Sequence, residues 1–120
     1  MKLLELGYIG EEKATQFILK DEYTILERNY ITKYGEIDII AHKGKDFHFI
    51  EVKTRRGMNF GLPRESVSKR KQQHIKRAAM LYLAYMNQQN IQWNTLSFDV
   101  IEVYIYDDQS TNIHFIPNCF

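Results

Sequence analysis

The chain of 120 residues predicts an α/β sandwich of element order αβββαββ, a mixed central sheet flanked by helices. Three observations carry that prediction. Turn signals separate three consecutive strand-like runs early in the chain, which implies an antiparallel meander. A long helical stripe then stands between this meander and two further β-branched runs. With 44% hydrophobic residues, including 8 Tyr and 7 Phe, the chain can fill one core, and disorder is excluded for its bulk.

Residues from about Gly10 to Lys20 place Ala14, Phe17 and Ile18 at helical spacing behind Glu11 and Glu12, acids that suit the positive end of a helix. Tyr23 to Ile31 reads as a strand, Lys33-Tyr34-Gly35 as a turn and Glu36 to Ala41 as a second strand. His42 to Asp46, with Gly44, reverses the chain into a third strand, Phe47 to Thr54, and the glycines and proline between Arg55 and Pro63 predict a loop. Ser68 can cap a helix to about Asn87 that buries Ile75, Ala78, Ala79, Tyr82, Leu83 and Met86. Leu96 to Tyr106 and Ile113 to Ile116 complete the sheet. Tyr82, Tyr85, Tyr104 and Tyr106 fall at core spacing, Trp93 suits either packing or stacking, and Asp99 faces away from Phe98 and Val100 and reads as structural, with a site role as the alternative.

Sixteen basic and 15 acidic residues leave a net charge of +1, but the distribution is uneven. Residues 1–50 carry 7 basic and 9 acidic side chains, residues 51–77 carry 9 and 2, and residues 78–120 carry 0 and 4. A block of +7 between acidic flanks points to a basic face and an anionic partner. No early apolar stretch has the length of a signal peptide or a membrane span, so a cytoplasmic protein without membrane contact is expected. Cys119 has no disulfide partner, and His42, His48, His74 and His114 lack the spacing of a transition-metal site.

Strand geometry then gathers acids. Glu36, Asp38 and Ile40 share one face of the second run, and Phe47, Phe49, Glu51 and Lys53 share one face of the third. A four-residue loop from Lys43 to Asp46 sets 40 opposite 49, 38 opposite 51 and 36 opposite 53. Ile40 meeting Phe49 favours this register. Asp38 and Glu51 would have Cβ atoms roughly 4.5–5.5 Å apart, where like charges destabilise a sheet. Two readings compensate: a hard divalent cation such as Mg²⁺ coordinated by both carboxylates, with Lys53 beside it or paired to Glu36, or a solvated ion-pair cluster of Asp38, Glu51 and Lys53. The apolar run around Glu51 favours a function, because charges in central strands are rarely tolerated without one.

Gly35-Glu36-Ile37-Asp38-Ile39-Ile40-Ala41 followed by Phe49-Ile50-Glu51-Val52-Lys53-Thr54-Arg55 resembles the YraN-like family of predicted bacterial endonucleases, within the restriction-endonuclease-like, PD-(D/E)XK superfamily. Leu6-Gly7 and Gly10-Glu11-x-x-Ala14 upstream match as well. So do Phe60-Gly61, Val67, Lys71, Ala79, Tyr82-Leu83 and Phe98-Asp99-Val100 downstream, which extends the likeness over nearly the whole chain. Glu-x-Lys alone is unspecific, since Glu11-Glu12-Lys13 repeats it, and Ser97 stands where the family usually carries Arg. The resemblance implies a restriction-endonuclease-like three-layer sandwich spanning residues 1–120 as one nuclease-like domain. It also implies Asp38 and Glu51 as ligands of Mg²⁺ or Mn²⁺, Lys53 as the residue that orients or activates the attacking water, and Glu11 as a further acid. The implied reaction is hydrolysis of DNA phosphodiester bonds.

Glu11 has a second reading, simple complementation of the helix dipole. Arg55, Arg56, Arg64, Lys69, Arg70, Lys71, Lys76 and Arg77 make up most of the basic block, and Lys69 to Lys71 would occupy a first helical turn, where the dipole disfavours cations by about 0.3–1 kcal/mol each. Arg55, Arg56, Lys69, Arg70, Lys71 and Lys76 are therefore the candidates for phosphate contact, although a solvated basic face is the plainer alternative. Lys71 also falls where the resembled family keeps a Lys, which adds assistance to the centre as an alternative to phosphate contact. No recognition helix is evident, so DNA binding directed by backbone or structure is expected, with structure-selective cleavage in repair or recombination as one outcome. A catalytically silent nucleic-acid-binding module of the same fold is the alternative, a small-substrate phosphatase is a third, and a symmetric homodimer is an option for a domain this small.

Overall fold

A computed structural model describes residues 3–57 and 67–120. Its element order is α1 (Leu3–Lys20), β1 (Thr24–Thr32), β2 (Gly35–Lys43), β3 (Asp46–Arg56), α2 (Lys69–Gln88), β4 (Thr95–Ile105) and β5 (Thr111–Ile116). The five strands form one mixed sheet in the order β1-β2-β3-β4-β5. β1, β2 and β3 are the expected antiparallel meander, β3 and β4 run parallel across the α2 crossover, and β5 returns antiparallel. Phe60, Gly61, Arg64 and the rest of residues 58–66 lie outside the described residues, while Arg55 and Arg56 belong to β3 rather than to a loop.

Two apolar clusters make this a three-layer sandwich. Ile37, Ile40, Phe47, Phe49 and Val100 pack under Ile75, Ala78, Ala79, Tyr82 and Met86 of α2. Ile39, Ala41, Ile50, Val52, Ile101 and Val103 pack under Leu6, Ala14 and Ile18 of α1. Most of the expected α2 stripe is buried, Leu83 is half-buried against it, and Trp93 packs there too. Tyr82 and Tyr104 are buried, whereas Tyr85 is 47% exposed, because it lies beyond the edge of the stripe. Phe17 is likewise 39% exposed, since Ala14, Thr15 and Ile18 take the inward positions of α1.

Three boundaries differ from the sequence expectation. Helix α1 starts at Leu3, so Glu11 sits in its middle and Glu5 is the first-turn acid, which removes the dipole explanation for Glu11. The β2–β3 reversal is a tight turn at Gly44-Lys45, with Gly44 at φ +60 as a primed hairpin turn requires, yet it preserves the expected register of 42 opposite 47 and 40 opposite 49. The third difference matters most. The β2–β3 ladder stops at Ile39 opposite Ile50, and the expected pairs 38–51 and 36–53 do not form. Ile37 and Ile40, three positions apart, belong to the same cluster, so alternation is broken between them and Asp38 does not share a face with Ile40.

Asp99 is structural, as its place in β4 suggested. It is fully buried, faces His48 Nδ1 at 2.5 Å, accepts from Asn118 N at 2.9 Å and is hydrogen-bonded by the Ser97 hydroxyl. Together with Cys119 N donating to Phe98 O at 2.8 Å, this network fastens the C-terminal residues to β4.

Helix α1 approaches the sheet so closely at Gly10 that a Cβ there would lie 1.8 Å from Thr54 Oγ1 and 2.8 Å from Thr54 Cβ. Gly10→Ala should therefore lower stability by about 1–3 kcal/mol in denaturant unfolding, although alanine favours a helix interior by about 1 kcal/mol. Gly10→Ala with Thr54→Gly should recover most of the loss. An unchanged midpoint for the single variant would contradict the close approach.

Candidate active site

The divergence of β2 from β3 creates the site. β3 remains paired to β4 through Arg56, so it is β2 that departs after Ile39. The Val52 N–H, near the point of separation, donates to Asp38 Oδ2 at 2.8 Å. A side chain thus takes a donor that a continued ladder would have used, and the bond holds Asp38 against β3.

Glu11, held above β3 by the contact at Gly10, reaches Asp38 from the α1 side and shares a side-chain hydrogen bond with it. Oxygens of Glu11, Glu36 and Asp38 all lie within 4.8 Å of one another. Asn29 of β1 helps hold this triad. Its backbone is left-handed (φ 52), and with the amide nitrogen turned toward the acids it donates to Glu36 at 2.7 Å and to Glu11 at 3.2 Å. Glu36 is accordingly held by the Asn29 amide beside Glu11 and is not paired with Lys53.

Glu51 is buried at 4% exposure on the opposite side of Asp38. Its Oε1 faces Lys71 Nζ at 3.4 Å and Lys53 Nζ at 3.8 Å, while Oε2 is buried without a hydrogen-bond partner. Both lysines remain partly solvated, at 34% side-chain exposure for Lys53 and 43% for Lys71. Ser68 caps α2 by accepting from Lys71 N at 3.1 Å, and this fixes the turn from which Lys71 reaches Glu51.

The acids strain one another electrostatically. Burial, followed by the negative charge of Asp38, raises the pKa of Glu11 to about 7. Burial and Asp38 also raise Glu51 to about 7, against the opposing pull of Lys71 and Lys53. Burial raises Asp38 as well, opposed by the Val52 N–H and by Lys71. A set of hard oxygen donors crowded in this way, one of them lacking a donor of its own, is chemically suited to a divalent cation.

Asp38, Glu51, Lys53 and Glu11 therefore meet at one place, and Lys71, expected from sequence either to contact phosphate or to assist the centre, meets them there. The other basic candidates divide. Arg55 Nε donates to Glu102 Oε2 at 2.8 Å, and Glu102 is 2% exposed, so this guanidinium already neutralises a buried carboxylate. Arg56, Lys69, Arg70 and Lys76 are exposed. Lys76 Nζ lies 5.6 Å from the ring centroid of Phe98 in β4. Asn29 and the site role of Glu36 escaped the sequence reading, because a regular strand pointed Glu36 at position 53 and an exposed Asn carries no signal of its own.

Two measurements follow. Glu11 and Glu51 keep protons in the folded state up to about pH 7, whereas unfolded glutamates lose them near 4.5, so the folded state binds more protons in between. Metal-free stability should fall as pH rises from about 4.5 to 7 and then level off, read as a declining Tm in chelator. Glu51→Gln should flatten that decline and leave Tm at pH 8 equal or higher, whereas a loss above about 2 kcal/mol would mark Glu51 as a structural partner of Lys53 and Lys71. Separately, Arg55→Ala should cost about 3 kcal/mol by stranding Glu102, while Arg70→Ala should change stability by less than about 0.5 kcal/mol in the same urea titration.

Comparison with known proteins places the chain in a family. The model of the uncharacterised protein family UPF0102 matches residues 10–103, which contain Glu11, Glu36, Asp38, Glu51, Lys53 and Lys71. A UPF0102 protein of Caldicellulosiruptor saccharolyticus is 43% identical over 121 aligned positions, covering 100% of each chain. One from Syntrophomonas wolfei is 44% identical with 97% of each chain covered, and one from Alkaliphilus metalliredigens is 44% identical with 96% of each covered. The chain belongs to the uncharacterised protein family UPF0102.

Proposed function

We propose that this protein is a metal-dependent nuclease that hydrolyses DNA phosphodiester bonds at the fork between β2 and β3. The observation that carries the reading is the crowding of Glu51, whose buried Oε2 receives no donor from outside the acid set, against Asp38 and Glu11 in a carboxylate set that two lysines only partly neutralise. Asp38 and Glu51 would hold Mg²⁺ or Mn²⁺, with Glu11 adding a carboxylate from the α1 side. Held there, a divalent cation would supply positive charge for the scissile phosphate and a lowered pKa for the attacking water.

The remaining chemistry falls to the chain's own groups. Lys53, beside Glu51 and partly open to solvent, orients the water and offers a fixed charge to a non-bridging phosphate oxygen. Lys71 approaches the same carboxylate from α2, so the phosphate meets positive charge on two sides. The Val52 N–H keeps Asp38 from rotating away, which is the rigid support a catalytic constellation needs. Exposed cations on and after β3 steer the polyanion toward the fork. Among the described residues no helix is long and apolar enough to cross a membrane.

The deciding experiment is cleavage of linear, flapped and four-way DNA with Mg²⁺ or Mn²⁺, using Lys53→Ala and Asp38→Asn as controls. Wild type should cut at least one substrate, and each variant should lose at least about 10²-fold in rate. Absence of cleavage on every substrate, with salt-dependent DNA binding retained, would replace the nuclease with a catalytically silent binding module.

A further inference from the structure

The basic block of α2 does not surround its helix evenly. At 100° per residue, Lys71 and His74 fall on one flank of the buried stripe and Lys76 and Lys69 on the other, while Arg70 and Arg77 lie on the outer face, turned to the Lys71 side. Contacts confirm the division. Lys71 faces Glu51 at the fork, a Cβ on Gly35 would lie 3.7 Å from His74 Cβ, and Arg77 Cζ lies 5.9 Å from the ring centroid of Tyr34. Lys76, in contrast, lies over Phe98 in β4, on the far side of β3 from β2.

The β1–β2 turn continues the first flank. Lys33 Nζ lies 5.2 Å from the same Tyr34 ring that Arg77 approaches, so the turn and the helix present their cations around one aromatic side chain. Among the described residues, no carboxylate lies within salt-bridge distance of Lys33, Arg70 or Arg77, whereas Arg28, Lys43, Lys53, Arg55 and Lys71 all have acidic partners. Arg77 and Lys33 therefore lead away from the fork around Tyr34, and Arg70 stands beside Lys71 at its start.

We propose that Lys71, Arg70 and Arg77 of α2, continued by Lys33 of the β1–β2 turn, form a one-sided track for the phosphate backbone of a nucleic-acid strand leading away from the fork. The rise from Lys71 to Arg77 is about 9 Å, over which one strand of B-form DNA presents about three phosphates. The track gives the strand a direction, past β2 toward β1, and leaves Lys76 outside it although Lys76 lies in the same basic block. Tyr34 acts as the post that holds Lys33 and Arg77 side by side. The track rests on the reading of the fork as a nucleic-acid site, and it needs no chemistry to be tested.

The test measures binding of fluorescent DNA, duplex and flapped, by anisotropy in EDTA at several salt concentrations. Arg77→Glu and Lys33→Glu should each weaken binding about tenfold and make the log–log salt slope shallower by about 1, while Lys76→Glu should change affinity less than about threefold. Arg77→Lys should retain most of the affinity, and the Tm of every variant checks folding. Equal losses in Lys76→Glu and Arg77→Glu would overturn the track in favour of undirected attraction. Wild-type affinity in both track variants would overturn it outright, with the nuclease reading intact. Failure of the wild type itself to bind any DNA would sink the nucleic-acid reading and the track together.

Discussion

Everything at the candidate site depends on one backbone event, the separation of β2 from β3 beyond Ile39 and Ile50. A sheet cannot simply stop pairing in its interior, because buried N–H groups must be satisfied. Here the Asp38 carboxylate takes up the Val52 N–H, so the acid that stands at the fork also completes its hydrogen bonding. The same separation turns Asp38 toward Glu11 and leaves Glu51 between Asp38 and two lysines. Structure and chemistry share the residue, which explains why acids accumulate at a point where a sheet would otherwise bury aliphatic side chains.

The helices reinforce that arrangement from both faces. Gly10 lets α1 come close enough to Thr54 for Glu11 to reach across the strand, and the Ser68 cap starts α2 at the turn that carries Lys71 to Glu51. The carboxyl groups of Glu11, Asp38 and Glu51 and two ammonium groups are thereby held on four elements around one small volume, with Glu36 a fourth carboxyl group against Glu11 and Asp38. Their raised proton affinities express an excess of negative charge that the lysines only partly offset, since both remain in contact with water. Arg55, by contrast, lies one residue pair beyond Lys53 on β3 and serves Glu102 and stability.

Much of this arrangement was legible in the sequence. Turn residues, helical stripes and alternation gave the element order and the antiparallel meander, and the Ile40–Phe49 match gave the β2–β3 register despite a turn two residues shorter than expected. The acids, Lys53 and Lys71 could be named because their residue types are costly in those settings and because they match a family pattern. Asn29 could not, for its importance lies in a left-handed strand conformation that no neighbouring residue announces.

The sequence by itself determined which groups are available and in what order, because periodicity, turn propensity and the rarity of charge in apolar strands are local properties of the chain. Tertiary structure alone decided which groups meet. Glu36 is held by Asn29 beside Glu11 instead of meeting Lys53 because a ladder ends where alternation assumed it would continue. Arg55 was committed to Glu102 by the β3–β4 pairing, and the basic block was divided between two flanks by the rotation of α2 on the sheet. These are outcomes of long-range packing, where the partner of each charge is set by elements distant in the chain.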